Sequence, residues 1–196
     1  YSFVNAPHER PYDFYYVVLP GNPLTPRLCK LQAGDTIYLT PHASGFLTLA
    51  EVPPGKHLWL LATGTALGPF LSILKTEVPW QRFERVVLVH AVRHAEELSY
   101  QDQIQSLLTR HAGNFVFVPV VSRDKTDFAL GGRIPKAIED GRLEARAGIE
   151  LAAQSSRLMV CGNPEMVADT VHALQARGLK KHRRRDPGQI SVENYW

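Results

Sequence analysis

The sequence predicts an α/β chain in two unequal parts. Residues 54–196 should form a doubly wound parallel-sheet domain, and residues 1–53 should be part of an antiparallel β-barrel domain. Two observations carry this. From Trp59 onward, short apolar runs alternate with helical patterns, and the runs are apolar nearly throughout, as strands are when helices cover both faces of a parallel sheet. Before Pro53 the texture changes to β-rich runs separated by Pro and Gly turns, with no helical pattern longer than a turn. A doubly wound sheet places its ligand crevice beyond the carboxyl ends of its strands.

In chain order, FYYVVL (14–19), DTIYLT (35–40) and GFLTL (45–49) read as strands, and PRLCKL (26–31) as a helical turn. Three or four strands are too few to close a barrel, and the chain opens on Tyr1 without an initiator Met, so it reads as N-terminally incomplete. EVPPGKH (51–57) reads as the linker. Strand LWLLAT (58–63) then leads to helix PFLSILK (69–75), strand VVLVHAV (86–92) to helix LSYQDQIQSLLTRH (98–111), and strand FVFVPVVS (115–122) to helix IPKAIEDGRL (134–143). Strand RLMVCG (157–162) leads to helix EMVADTVHALQARG (165–178). The closing ISVENYW puts two aromatics on the end of the chain, where tails are normally frayed and polar, so this end should dock as a strand or its rings should stack on something.

Composition narrows the classes. At 44% hydrophobic and 21% charged, disordered and fibrous chains are excluded. The long apolar stretch from His57 to Leu74 is broken by Thr63, Gly64, Thr65, Gly68 and Pro69, which makes it a strand, turn and helix rather than a membrane span. Only Cys29 and Cys161 are present and no signal-peptide pattern occurs, which points to a reducing cytoplasm with no disulfide framework. The net charge of +3 favours an acidic partner without demanding nucleic acid. Much of it sits in KKHRRR (180–185), read first as a solvated turn, next as a docking patch for an acidic protein, and last as a nucleic-acid contact.

Three motifs carry chemistry. In LLATGTALGPFLSIL, a strand enters a turn at Gly64 and Gly68 and then a helix whose first N–H groups suit a pyrophosphate, although the spacing departs from G-x-G-x-x-G. In MVCGNPEMVADT, a strand end delivers Cys161, Gly162 and Asn163 to the same crevice, where a lone Cys is otherwise a small buried hydrophobe. Arg93, Arg123 and Arg133 lie at or just past strand ends, and with Ser122 would make a fork for a phosphate; singly, each reads as a surface charge. No His and Cys spacing suggests a metal, and no nucleophile elbow supports a hydrolase.

YSFVN, GTALGPFLSIL, HAVR, VVSR, GRIP, MVCGNP and VENYW occur in the order found in bacterial ferredoxin (flavodoxin)–NADP+ reductases, and over its whole length the chain resembles the branch that ends in a Tyr-Trp pair. The resemblance implies that residues 1–53 are the C-terminal part of an FAD-binding barrel and 54–196 an NADP-binding domain with a flavin-covering tail. It implies FAD contacts from Tyr1, Ser2, Phe3 and Val4, from Tyr15, Tyr16, Val17 and Val18, and from Pro23, Leu24, Thr25 and Thr65. Tyr195 would cover one flavin face opposite Tyr1, acting as a gate for the nicotinamide, while Trp196 packs on the adenine. Gly64, Val92, Arg93, Ser122, Arg123, Arg133, Gly162 and Asn163 would hold NADP, the arginines reading its 2′-phosphate. Ser2, Cys161 and Glu193 would be the catalytic set.

The same resemblance implies an oxidoreductase that passes hydride from NADPH to flavin N5 and then single electrons to ferredoxin or flavodoxin. It would be a cytoplasmic monomer with no metal and no nucleic-acid or membrane partner. The alternatives are an NAD(P)H–flavin reductase serving an oxygenase, which usually favours NADH, and a non-catalytic NADP- or nucleic-acid-binding module.

Overall fold

The computed structural model describes every residue except Pro41, Ala43, Tyr195 and Trp196. After a single helical turn, α1 (Thr25–Leu28), come β1 (His57–Thr63), α2 (Leu67–Leu74), α3 (Val78–Arg82), β2 (Arg85–Val92), α4 (Gln101–Arg110), β3 (Phe115–Val121) and β4 (Leu130–Gly131). They are followed by α5 (Ile134–Glu139), α6 (Arg142–Ala147), β5 (Ser156–Gly162), α7 (Pro164–Ala176) and β6 (Ile190–Asn194). The strands form one parallel sheet in the order β4-β3-β2-β1-β5-β6.

The apolar strands are buried on both faces, and their two-residue period splits them between two layers. Trp59 and Leu61 of β1, Val87 and Val89 of β2 and Val160 of β5 pack with Ile138 of α5, Leu143 of α6 and Leu174 of α7. Leu58 and Leu60, Leu88, and Met159 pack with Phe70 of α2 and Ile104 of α4 on the opposite face. Each fully buried large side chain contributes about 1.5–3 kcal/mol. An exposed pair such as Lys56–Glu84, 66% and 67% exposed, contributes under ~1 kcal/mol, so the two layers hold the fold.

Residues 1–53 are fastened onto this body at several points. Val4 is wholly buried in the α2 layer. The Ser72 hydroxyl donates to the Asn5 carbonyl at 2.5 Å, and Lys75 pairs with Glu9 at 3.1 Å. Tyr15 and Ser99 share a hydroxyl–hydroxyl hydrogen bond of 2.8 Å. Arg82 donates to the carbonyls of Leu49 and Val52, and Arg184 grips Glu51 with two nitrogens.

The elements differ from the sequence reading in four places. The expected helix 134–143 is two, because Gly141 takes a left-handed φ of +75° between α5 and α6. Helix α3 and the two-residue strand β4 are additional; both are too short to show a period. The runs 14–19, 35–40 and 45–49 form no ladder among the described residues, only the bridge Phe3↔Phe14. A strand exists only through a hydrogen-bonded neighbour, and here Val17, Val18, Ile37, Tyr38 and Phe46 stand exposed instead. Of the closing segment, Ile190–Asn194 docks as a strand, β6, in register with β5.

Candidate functional site

The chain lays down β1, β2, β3 and β4 in one direction and then returns to place β5 on the other side of β1. The crevice of such a sheet opens where that direction reverses, at the carboxyl ends of β1 and β5. Those ends carry Thr63-Gly64-Thr65 and Cys161-Gly162-Asn163.

Gly64 has φ +53° and begins the 3-10 turn Gly64–Ala66 that leads into α2. A Cβ on Gly64 would meet nothing within 4 Å, so the backbone here is open to an approaching ligand. Gly162 is the opposite case. Its φ is +145° and an added Cβ would lie 2.1 Å from the Thr63 hydroxyl, so the two strand ends touch through a position only glycine can fill. Asn163 donates its N–H to Thr63 Oγ1 at 3.3 Å, while its side-chain oxygen accepts from the N–H groups of Glu165 and Met166 and caps α7.

Cys161 is wholly buried and belongs to the α2 layer. Burial, and then the nearby Glu193 carboxylate, push its thiol up to about 12, so it stays a neutral S–H at physiological pH. Glu193 sits opposite Cys161 in the β5–β6 register. A Cβ on Gly45 would lie 3.2 Å from Glu193 Oε2, so the 45 region approaches this carboxylate. Ser2 lies against the first turn of α2, where Gly68 admits Val4, Tyr15 and the Ser2 carbonyl at 3.5–4.0 Å from its would-be Cβ. No hydrogen bond joins Ser2 to Glu193 among the described residues.

The ladder that ends β2 and β3 aligns the fork. Ser122 N–H donates to the Val92 carbonyl, Arg123 N–H to that of Arg93, and Gly132 N–H to that of Val121, which brings β4 and the following Arg133 alongside. Acidic side chains nearby are held by other groups: Glu97 accepts from the N–H groups of Arg93 and His94, and Asp124 from Ala95 N–H and His94 Nδ1. The Ala95 N–H, then His94, hold the Asp124 carboxyl below the usual range. Arg93, Arg123 and Arg133 are exposed, and among the described residues none of their guanidinium groups is in an ion pair or a side-chain hydrogen bond. An uncompensated cationic edge of this kind suits a phosphate.

The N-terminal residues present a different surface. Tyr1, Val17, Val18 and Leu24 are exposed, and the Tyr1 ring meets Tyr16 edge-on at 6.4 Å. Phe3 stacks on Tyr12 and Phe14 rather than on this face. Thr25 is buried, and its hydroxyl accepts from Leu19 N–H to tie the Pro23-Leu24-Thr25 turn. Tyr195 and Trp196, expected to flank the flavin, lie outside the described residues.

Two residues of the site have no sequence signature. Thr63 acquires its place through contact with Gly162, and His90 through the β1–β2 register. His90 is wholly buried on β2, with Nε2 3.0 Å from the Gly64 carbonyl. Burial lowers its pKa from 6.5 to about 4, so the ring is neutral and donates Nε2–H. Because the unfolded chain binds this proton at higher pH than the folded one, stability is complete above pH 6.5 and falls as pH drops toward 4. The shift corresponds to about 3 kcal/mol. Urea unfolding of H90Q at pH 7 and pH 4.5 should show a pH dependence flatter than the parent by that order; an equal dependence would contradict the assignment.

Among the described residues, no helix is long and apolar enough to cross a membrane, and no cluster of His, Cys, Asp and Glu is placed to hold a metal ion. Residues 60–172 match the family model of the oxidoreductase NAD-binding domain. The chain is 45% identical over 197 residues to the flavodoxin/ferredoxin–NADP reductase of Escherichia coli (strain K12), and 43% identical to that of Buchnera aphidicola subsp. Baizongia pistaciae, covering 100% of itself and 79% of each relative. The chain belongs to the flavodoxin/ferredoxin–NADP reductase family. A crystal structure of a ferredoxin NADP+ reductase from Neisseria gonorrhoeae with bound FAD and NADP superposes on this reductase chain with a TM-score of 0.94 at 40% identity, over 100% of this chain and 79% of that one. The chain is thus an oxidoreductase, and the sheet order described above is that of its reductase relatives.

Proposed function

We propose that this chain moves electrons between NADPH and ferredoxin or flavodoxin with FAD as its redox group, residues 1–53 belonging to the FAD-binding barrel and 54–196 forming the NADP-binding domain. The observation that carries it is the set Arg93, Arg123 and Arg133, whose guanidinium groups are unpaired among the described residues, with Ser122 between them donating its hydroxyl to the Val92 carbonyl, beside the open Gly64 turn. Its relatives are flavodoxin/ferredoxin–NADP reductases, and the solved neighbour holds both FAD and NADP.

The residues fit FAD. Exposed Tyr1, Tyr16 edge-on to it, and the apolar Val17 and Val18 offer a face for a flat ring that a solvated loop would not need. When bound, FAD accepts an electron pair as hydride and returns electrons one at a time. The chain's own residues bind, orient and exclude water. The arginines would hold the 2′-phosphate, the open Gly64 turn would admit the dinucleotide backbone, Gly162 closes the neighbouring strand end against Thr63, and the buried neutral Cys161 would keep the floor under the nicotinamide uncharged. Ser2 and Glu193 flank the reacting end from α2 and β6, where Glu193 can hold a proton.

In this reading the protein is a cytoplasmic monomer with no nucleic-acid or membrane partner. The basic run weighs against a nucleic-acid partner: Lys180 pairs with Asp186, and Arg184 is engaged by Glu51 and lies over the Phe46 ring at 4.6 Å, leaving fewer free cations than the sequence suggests. The test is the absorption spectrum after FAD is added and the excess removed. A yellow protein with a flavin spectrum is expected; a colourless one that binds DNA in a salt-sensitive way would overturn the reading.

A further inference from the structure

We infer that His90 is a positioning residue that sets the Gly64–Thr65 peptide for the dinucleotide, an inference that rests on the reading of the site above. A β2 position buried on both faces calls for Val or Leu, and its neighbours Leu88 and Val89 comply. His90 instead places an imidazole where it is 0% exposed, with Nδ1 buried and without a partner among the described residues. A buried unpaired acceptor costs about as much as a hydrogen bond gains, so packing alone does not account for the ring.

Its one bond explains it. Nε2–H donates to the Gly64 carbonyl at 3.0 Å, and among the described residues no other side chain bonds the Gly64–Ala66 turn. Gly64 sits at φ +53° with open space around it, so no steric wall fixes its peptide plane; the Leu67 N–H that closes the 3-10 turn also bonds this carbonyl, and His90 is the one side chain that adds to that hold among the described residues. A trans peptide directs its C=O and N–H to opposite sides. Pulling the Gly64 carbonyl inward onto His90 therefore turns the Thr65 N–H outward, at the switch point between β1 and β5. Three residues on, just past the end of the same strand, Arg93 enters the phosphate fork. Strand β2 thus fixes two parts of one ligand site, the fork by its end and the turn by His90.

The test uses the FAD-loaded chain, its H90L and H90Q variants, and two probes titrated calorimetrically: NADP+, which spans turn and fork, and adenosine 2′,5′-bisphosphate, which reaches the fork alone. H90L should bind NADP+ about tenfold more weakly, the worth of one hydrogen bond, and the bisphosphate as the parent does. H90Q, which keeps an N–H donor, should recover most of the loss. NADP+ affinity unchanged in H90L, both probes weakened alike, or H90Q no better than H90L would each overturn the inference. A parent that fails to bind the bisphosphate overturns the reading of the fork and this inference with it. Should H90L not fold, the parent decides: the His90 Nε2–H proton resonance should shift on addition of NADP+ and stay in place with the bisphosphate, and a resonance unmoved by NADP+ would overturn the inference.

Discussion

Replacing Arg93 or Arg123 by Ala is expected to raise KM for NADPH by roughly 10–100-fold while leaving KM for NADH within about twofold. A hydrogen bond to a charged group is worth about 1.5–3 kcal/mol, and each 1.4 kcal/mol is about tenfold. Both guanidinium groups are unpaired among the described residues, so truncating either breaks no internal bond, and the loss should fall on the ligand alone. Lys is a poor substitute, because a point charge cannot grip a phosphate with two parallel bonds. The effect should shrink with added salt, since the fork is exposed and charges beyond ~8 Å are screened at physiological ionic strength. Steady-state rates with both coenzymes at low and high salt check it; equal losses with NADPH and NADH would mean that these arginines do not read the 2′-phosphate.

Gly162→Ala should be strongly destabilising for the addition of a single methyl group. Its Cβ would stand 2.1 Å from Thr63 Oγ1 and 3.0 Å from Met166 Cε, at a φ of +145°. The backbone strain costs about 1–3 kcal/mol and the overlap a similar amount. At roughly 2–4 °C per kcal/mol for a chain of this size, Tm should fall by about 10 °C. Adding Thr63→Ala removes the overlap but not the strain, so the double variant should recover about half the loss, a coupling that a double-mutant cycle measures. Additive losses would show that the two strand ends do not bear on one another.

The parallel sheet was legible because its strands are buried on both faces: VVLVHAV and RLMVCG leave little else for those runs to be. The position of the arginines was legible for a related reason, since the crevice of such a sheet has a known edge and a charge just past a strand end must sit near it. What stayed hidden depends on contacts between distant residues. Nothing near Thr63 announces that its hydroxyl will lie under Gly162 and accept from Asn163, a hundred positions on, and only the strand register puts His90 beneath Gly64. Asn163 and Thr25, read as cofactor contacts, are each engaged locally, one capping α7 and the other closing the turn before α1. The runs at 14–19, 35–40 and 45–49 have the composition of strands, but a ladder needs a neighbour as well as a composition.

The most direct test of the central claim, that this fold delivers electrons from NADPH rather than NADH to a bound flavin, is anaerobic stopped-flow mixing of the FAD-loaded chain with each coenzyme. The flavin absorbance band should bleach rapidly with NADPH and far more slowly with NADH. No bleaching with NADPH, or equal rates with the two, would contradict the account.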